Sequence, residues 1–98
     1  MLVVIGTATA APGRCDELVA AARVVAAATR GDDGCLAYAF AADVEDPDRI
    51  LSVEVWRDRA ALDAHMGHDH TQAFLQVTPD LVAGEPVTTF HEVADAPV

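Results

Sequence analysis

The chain has 98 residues, 52% of them hydrophobic, and sets 16 acidic side chains against 6 arginines and no lysine, for a formal charge of −10. Such a surface repels phosphate backbones and anionic lipids, and the arginines are scattered, so no nucleic-acid or membrane partner is expected. The length provides for one domain over 1–98, with an ordered core over 1–93 and a tail over 94–98, and a core this small gains from association with a second copy. No apolar run approaches the ~20 residues of a membrane span, and no basic stretch precedes Leu2-Val3-Val4-Ile5, which points to a cytoplasmic protein. In that compartment Cys15 and Cys35 read as small free thiols rather than a disulfide.

In chain order, Leu2 to Thr9 is an apolar, β-branched run ended by Ala11-Pro12-Gly13, a strand and its turn. From Arg14 to Arg30 the period changes: Leu18, Ala21, Ala22, Val25 and Ala28 share a helical face, Asp16, Arg23 and Arg30 lie opposite, and Gly31 closes the helix. Asp32-Asp33-Gly34 turns the chain into a second strand, Cys35 to Ala42, and the polar stretch Asp43 to Asp48 returns it into a third, Ile50 to Trp56. Asp58 caps a short helix from Arg59 to Met66, which Gly67 interrupts. A further helix starts near Asp69 with His70, Phe74, Val77 and Leu81 on one face; Pro79 is expected to break it and restart it behind Thr78 as cap. Gly84-Glu85-Pro86 ends that helix, and Val87 to Val93 forms the last strand.

The order β-α-β-β-α-α-β predicts an α+β domain, a four-stranded and largely antiparallel sheet with helices on one face. Neither face of the strands reads as solvated: Leu51, Val53 and Val55 oppose Ile50, Ser52, Glu54 and Trp56, and Val3 and Ile5 oppose Leu2 and Val4. Helices cover only one face, so the other is expected to meet the sheet of an identical chain in a homodimer.

The densest group of chemically able residues is Glu54-Val55-Trp56 followed by His65-Met66-Gly67-His68-Asp69-His70. Together with Pro12-Gly13, Gly34-Cys35, Tyr38, Ala61-Leu62-x-x-His65 and Ala73-Phe74 after His70, this pattern resembles the antibiotic biosynthesis monooxygenase and quinol monooxygenase family over nearly the whole chain. The resemblance implies a ferredoxin-like fold that pairs sheet to sheet as a dimeric α/β barrel. It also implies a cofactor-free oxidation by dioxygen of a small aromatic substrate, a quinol or polyhydroxy-aromatic. The haem-degrading branch fits less well, because its catalytic Asn, Trp and His correspond to Thr7, His65 and Leu75.

A neutral imidazole suits a base near pH 7, and His65 is the first candidate, with His70 beside it on the next helix. Glu54, a carboxylate in a central strand, needs a partner: an arginine or histidine that it pairs with structurally, or a catalytic histidine that it orients. Trp56 and Tyr38 are expected either to wall the substrate or to be plain core, and Thr7 and Phe74 are further expected substrate contacts. His68 is expected to face solvent. A metal is not expected, since Gly67 breaks the helix between His65 and His68 and no fourth ligand is evident. No flavin or nicotinamide motif is present either, so no cofactor is expected. Two other readings stay open: an isomerase or lyase on a small phosphorylated signal, and a dimeric ligand-binding or stress-related domain without turnover.

Overall fold

In the computed structural model, which describes residues 1–94, β1 (Leu2–Ala10) runs through the middle of the sheet. The other elements are α1 (Cys15–Thr29), β2 (Cys35–Ala42), β3 (Arg49–Trp56), α2 (Arg59–Met66), α3 (Asp69–Leu81) and β4 (Val82–Glu92). The sheet order is β2-β3-β1-β4, and every neighbouring pair is antiparallel, the ferredoxin-like arrangement that the resemblance implies. The tail expected after the core lies outside the described residues from position 95 onward. Among the described residues no helix is long and apolar enough to cross a membrane.

Antiparallel partners share a face, so the register sorts the side chains. Leu2, Val4 and Ala10 of β1, Ile50 and Trp56 of β3 and Tyr38 of β2 are buried on the inner face against Leu18, Ala22, Val25 and Ala26 of α1 and Ala61 and Leu62 of α2. The outer face carries Val3, Ile5, Leu51, Val53, Val55 and Val87, and Ile5, Val53 and Val87 are exposed in the single chain. Cover on the inner face fades across the sheet. In the row Tyr38, Glu54, Val4, Phe90, the first ring is buried while Phe90 is 52% exposed. The next row, Phe40, Ser52, Gly6, Thr88, likewise ends in an exposed residue, so a strip of inner face along β4, reaching half-buried Gly6 of β1, lies open beside the helices.

Two boundaries differ from the sequence expectation by more than one residue. Helix α3 runs through Pro79 to Leu81 without restarting at Thr78. The proline removes one backbone donor only two residues before the helix ends, where little helix remains to be broken. β4 then starts at Val82, five residues earlier than expected, because Val82 and Ala83 pair with Ala10 and Thr9. Gly84-Glu85-Pro86 is a bulge inside that strand rather than a helix terminator: Gly84 takes φ +70°, and the ladder resumes at Val87 opposite Thr7. The buried stripe of α3 is also displaced, to Thr71 and Leu81 with Phe74 and Thr78 half-buried, and Val77 is exposed.

Candidate active site

Three pieces of chain converge at one end of the inner face. The first is the turn after α1, where the Asp32 N–H donates to the Thr29 carbonyl at 2.9 Å and the Asp32 carbonyl accepts from the Cys35 N–H at 3.1 Å. Gly34 holds φ +79° in that turn, and a Cβ there would come within 2.5 Å of the Ala61 Cβ, so the turn is pressed against α2. The second piece is α2 itself. Asp58 caps it, its carboxylate accepting from the Ala61 N–H at 2.9 Å, and His65 follows Ala61 one turn later on the same buried side. The third is the link at Gly67. The Gly67 and His68 N–H groups close onto the Ala64 and His65 carbonyls, His68 becomes the N-cap residue of α3, and His70 lies in the first turn.

These pieces bring three imidazoles onto one carboxylate. His65 Nδ1 lies 2.8 Å and His70 Nε2 3.1 Å from Asp32 Oδ2, and His68 Nδ1 lies 3.2 Å from Asp32 Oδ1. The Asp32 side chain is only 6% exposed. A carboxylate only accepts, so His65 Nδ1–H and His70 Nε2–H donate to it. Each ring is thereby fixed in one tautomer. The lone pair of His70 is left on Nδ1 and that of His65 on Nε2. The Thr71 hydroxyl stands 3.2 Å from His65 Nδ1 as a further polar neighbour. Burial pushes the Asp32 carboxyl up, but the contacts from His65, His70 and then His68 outweigh it and hold the group below the ordinary carboxylate range.

The expected site residues divide into those the fold gathers and those it does not. His65 is 2% exposed, its ring 4.6 Å from that of Trp56 and 5.7 Å from that of Tyr38. Trp56 is fully buried, and its indole N–H donates to Glu54 Oε1 at 3.0 Å. Glu54 therefore has the indole as its hydrogen-bond partner, rather than the arginine or histidine expected. Burial pushes its carboxyl above the ordinary range, with the Trp56 bond and the nearby His65 opposing. Burial likewise raises the Tyr38 hydroxyl. Trp56 and Tyr38 thus back the histidines as core. Phe74 is half-buried with its ring 5.8 Å from Phe40, itself 5.6 Å from Tyr38. Thr7 pairs with Leu51 and Val87 and so lies on the outer face, away from the histidines.

His70 is the more open of the two tautomer-fixed rings, its side chain 24% exposed. Asp32 and His68 were not among the expected site residues. Asp-Asp-Gly reads in sequence as an ordinary turn, and Gly67 reads as a break that sends His68 to solvent, whereas the break is what folds His68 back to Asp32. Cys15 and Cys35 are free thiols, as expected. An open cleft of about 480 Å³ lies between α1 and the β2 edge, lined by Arg23, Arg30, Phe40 and Ile50 among others; the histidines do not border it.

A family profile described as antibiotic biosynthesis monooxygenase matches residues 1–77. The uncharacterized protein sll1783 of Synechocystis sp. is 31% identical over 94 residues, 96% of this chain, and the chain spans 64% of that relative's length. Among solved structures, one of an antibiotic biosynthesis monooxygenase is 28% identical with a TM-score of 0.89, covering 96% of this chain and 99% of the other. PA3566 from Pseudomonas aeruginosa is 31% identical with a TM-score of 0.83, covering 94% of each chain.

Proposed function

The chain belongs to the antibiotic biosynthesis monooxygenase family, and from that premise we propose that it is a cofactor-free monooxygenase that oxidises a quinol or polyhydroxy-aromatic substrate with dioxygen. One observation carries the reading: Asp32 holds His70 by Nε2 and leaves the Nδ1 lone pair on a partly open ring. An oriented, neutral imidazole of this kind is a general base. The base moves from His65, first in sequence reasoning, to His70, because a 2% exposed ring has no surface to offer a substrate. His65 and Trp56 act as positioning residues that keep Asp32 and its partners in place, and Glu54 tethers the Trp56 ring.

The substrate ring lies on the uncovered strip of the inner face. Phe74 is one helical turn beyond His70, its ring meets Phe40, and Phe40 shares a row with Ser52 and Gly6. Gly6 keeps that floor low, since a Cβ there would press on the Ser52 hydroxyl. Thr7 drops out of this arrangement through its place on the outer face.

His70 Nδ1 takes a phenolic proton, and the electron-rich phenolate passes one electron to dioxygen. The radical pair joins at a ring carbon that bears hydrogen, forming a C–O bond. Loss of that carbon's proton and cleavage of the O–O bond then leave a carbonyl and a molecule of water. One oxygen atom enters the product, and the substrate supplies all four electrons, so the balance needs no added reductant. The protein holds the ring, accepts the proton and excludes water. The working unit is a homodimer closed by the apolar outer faces, in the cytoplasm.

A dioxygen-electrode screen of hydroquinones, naphthoquinols and anthrones with chelator-treated protein tests the proposal. Uptake above the autoxidation rate with at least one class is the expected result. Binding of these rings without uptake would instead support the ligand-binding reading.

A further inference from the structure

One ring nitrogen from each of His65, His68 and His70 and a carboxylate oxygen of Asp32 all lie within 4.8 Å of one another. We propose that this cluster is a binding site for a divalent transition-metal ion of the zinc class, a role distinct from the oxidation proposed above although it draws on the same His70.

The donor set is the first argument. Three imidazole nitrogens and one carboxylate oxygen form the nitrogen-rich, four-donor set that suits zinc. The second is convergence from separated pieces of chain. Asp32 comes from the turn after α1, His65 from α2, and His68 and His70 from the start of α3, so no single helical face accounts for the meeting. Gly67, which in sequence argues against a metal, allows the chain to turn between His65 and His68. Asp32 supplies the fourth ligand that the histidine motif lacks.

The third argument is His68. Its Nδ1 is shielded from solvent and faces Asp32 Oδ1 at 3.2 Å without the alignment of a hydrogen bond. A shielded imidazole nitrogen in such an ill-aligned contact is costly, and a metal ion held by it and the carboxylate would replace that contact with a bond to each. A tetrahedral zinc site with Zn–N bonds near 2.0–2.1 Å has its donor atoms roughly 3.3 Å apart. His65 Nδ1 and His70 Nε2, at 2.8 and 3.1 Å from Asp32 Oδ2, are already close to that value.

Metal binding would also silence the base. With Nε2 of His70 on a cation, the ring proton of a neutral imidazole moves to Nδ1, which removes the lone pair that the oxidation requires. Zinc and the base therefore compete for one imidazole.

Isothermal titration of the chelator-stripped full chain with Zn²⁺ tests the site without recourse to activity. One ion per chain is expected, with His68→Ala weakening binding by ~10-fold or more, the size of loss that even outer-shell changes produce. His91, exposed on β4 and bonded to Thr89, is outside the cluster, and His91→Ala is expected to leave the titration unchanged. The His68 ring is 43% exposed, so its removal spares the core, and circular dichroism checks that the variant is folded. Co²⁺ bound to the unmutated chain is expected to give a tetrahedral ligand-field spectrum that Zn²⁺ abolishes. No binding to the unmutated chain, several weak equivalents, or equal affinity in the folded His68→Ala variant would overturn the proposal.

Discussion

The Asp32 carboxylate and the His70 imidazole, 38 positions apart in the chain, meet at 3.1 Å. The oxygen involved also takes His65 at 2.8 Å, so one acidic side chain on the α1–β2 turn sets the tautomers of rings on two different helices. Control of the site therefore rests on a turn that contributes no histidine of its own.

Gly34 makes that turn possible. Its φ of +79° and the 2.5 Å approach of a built Cβ to Ala61 leave no relaxed conformation for alanine. Gly34→Ala is expected to lower stability by about 1–3 kcal/mol, the usual cost of a strained backbone position, and to shift the denaturation midpoint in urea accordingly. An unchanged midpoint would mean that the turn stands off α2.

Asp32 should also govern the acid limb of stability. A carboxyl whose native value lies below its unfolded value stabilises the fold above about pH 4, and that contribution is lost as pH falls through the native value. Asp32→Asn is expected to unfold more easily than the parent at pH 7, by roughly 1.5–3 kcal/mol for lost hydrogen bonds to a charged group. The gap should narrow as the solution is acidified below pH 4. A gap that is constant with pH would contradict the assignment.

Glu54 has the opposite sign. Its native value is raised, so its contribution is fully present below the unfolded value, near pH 4, and is lost as pH rises through the native value. Glu54→Gln keeps an acceptor for the Trp56 N–H and removes the buried charge. Thermal scans are expected to show the variant gaining on the parent between pH 4 and pH 7; a loss at pH 7 would mean that the ionised carboxylate is stabilising.

Much of this architecture was legible in the sequence, for identifiable reasons. Cys35 to Ala42 alternates large and small residues with period two, and Arg59 to Met66 lies between an aspartate cap and a glycine, so both elements have the expected bounds. The β4 start was hidden because Val82 and Ala83 continue the apolar pattern of α3, and only pairing with Ala10 and Thr9 decides their state. His65 and His70 stood out by spacing. Asp32 did not, because its role depends on contacts 33 and 38 positions away, which no local pattern encodes.

The outer face offers a separate check. Ile5, Val53 and Val87 are exposed in one chain beside Val3, Leu51 and Val55, an apolar surface that soluble monomers rarely leave open. Light scattering at micromolar concentration is expected to give about twice the 10.3 kDa chain mass, and Val53→Asp to give the single-chain mass. A monodisperse parent monomer would remove the dimer from the account.

The most direct measurement is the pH dependence of dioxygen uptake by the parent and His70→Ala, both chelator-treated, on a quinol that the parent oxidises. Loss of a general base is expected to slow the variant by about 10²-fold or more at pH 7. The two rates should converge toward pH ~10, where hydroxide ionises the phenol before it binds. Full activity of His70→Ala at pH 7, or a converging profile in His65→Ala instead, would contradict the assignment of His70 as the base that Asp32 orients.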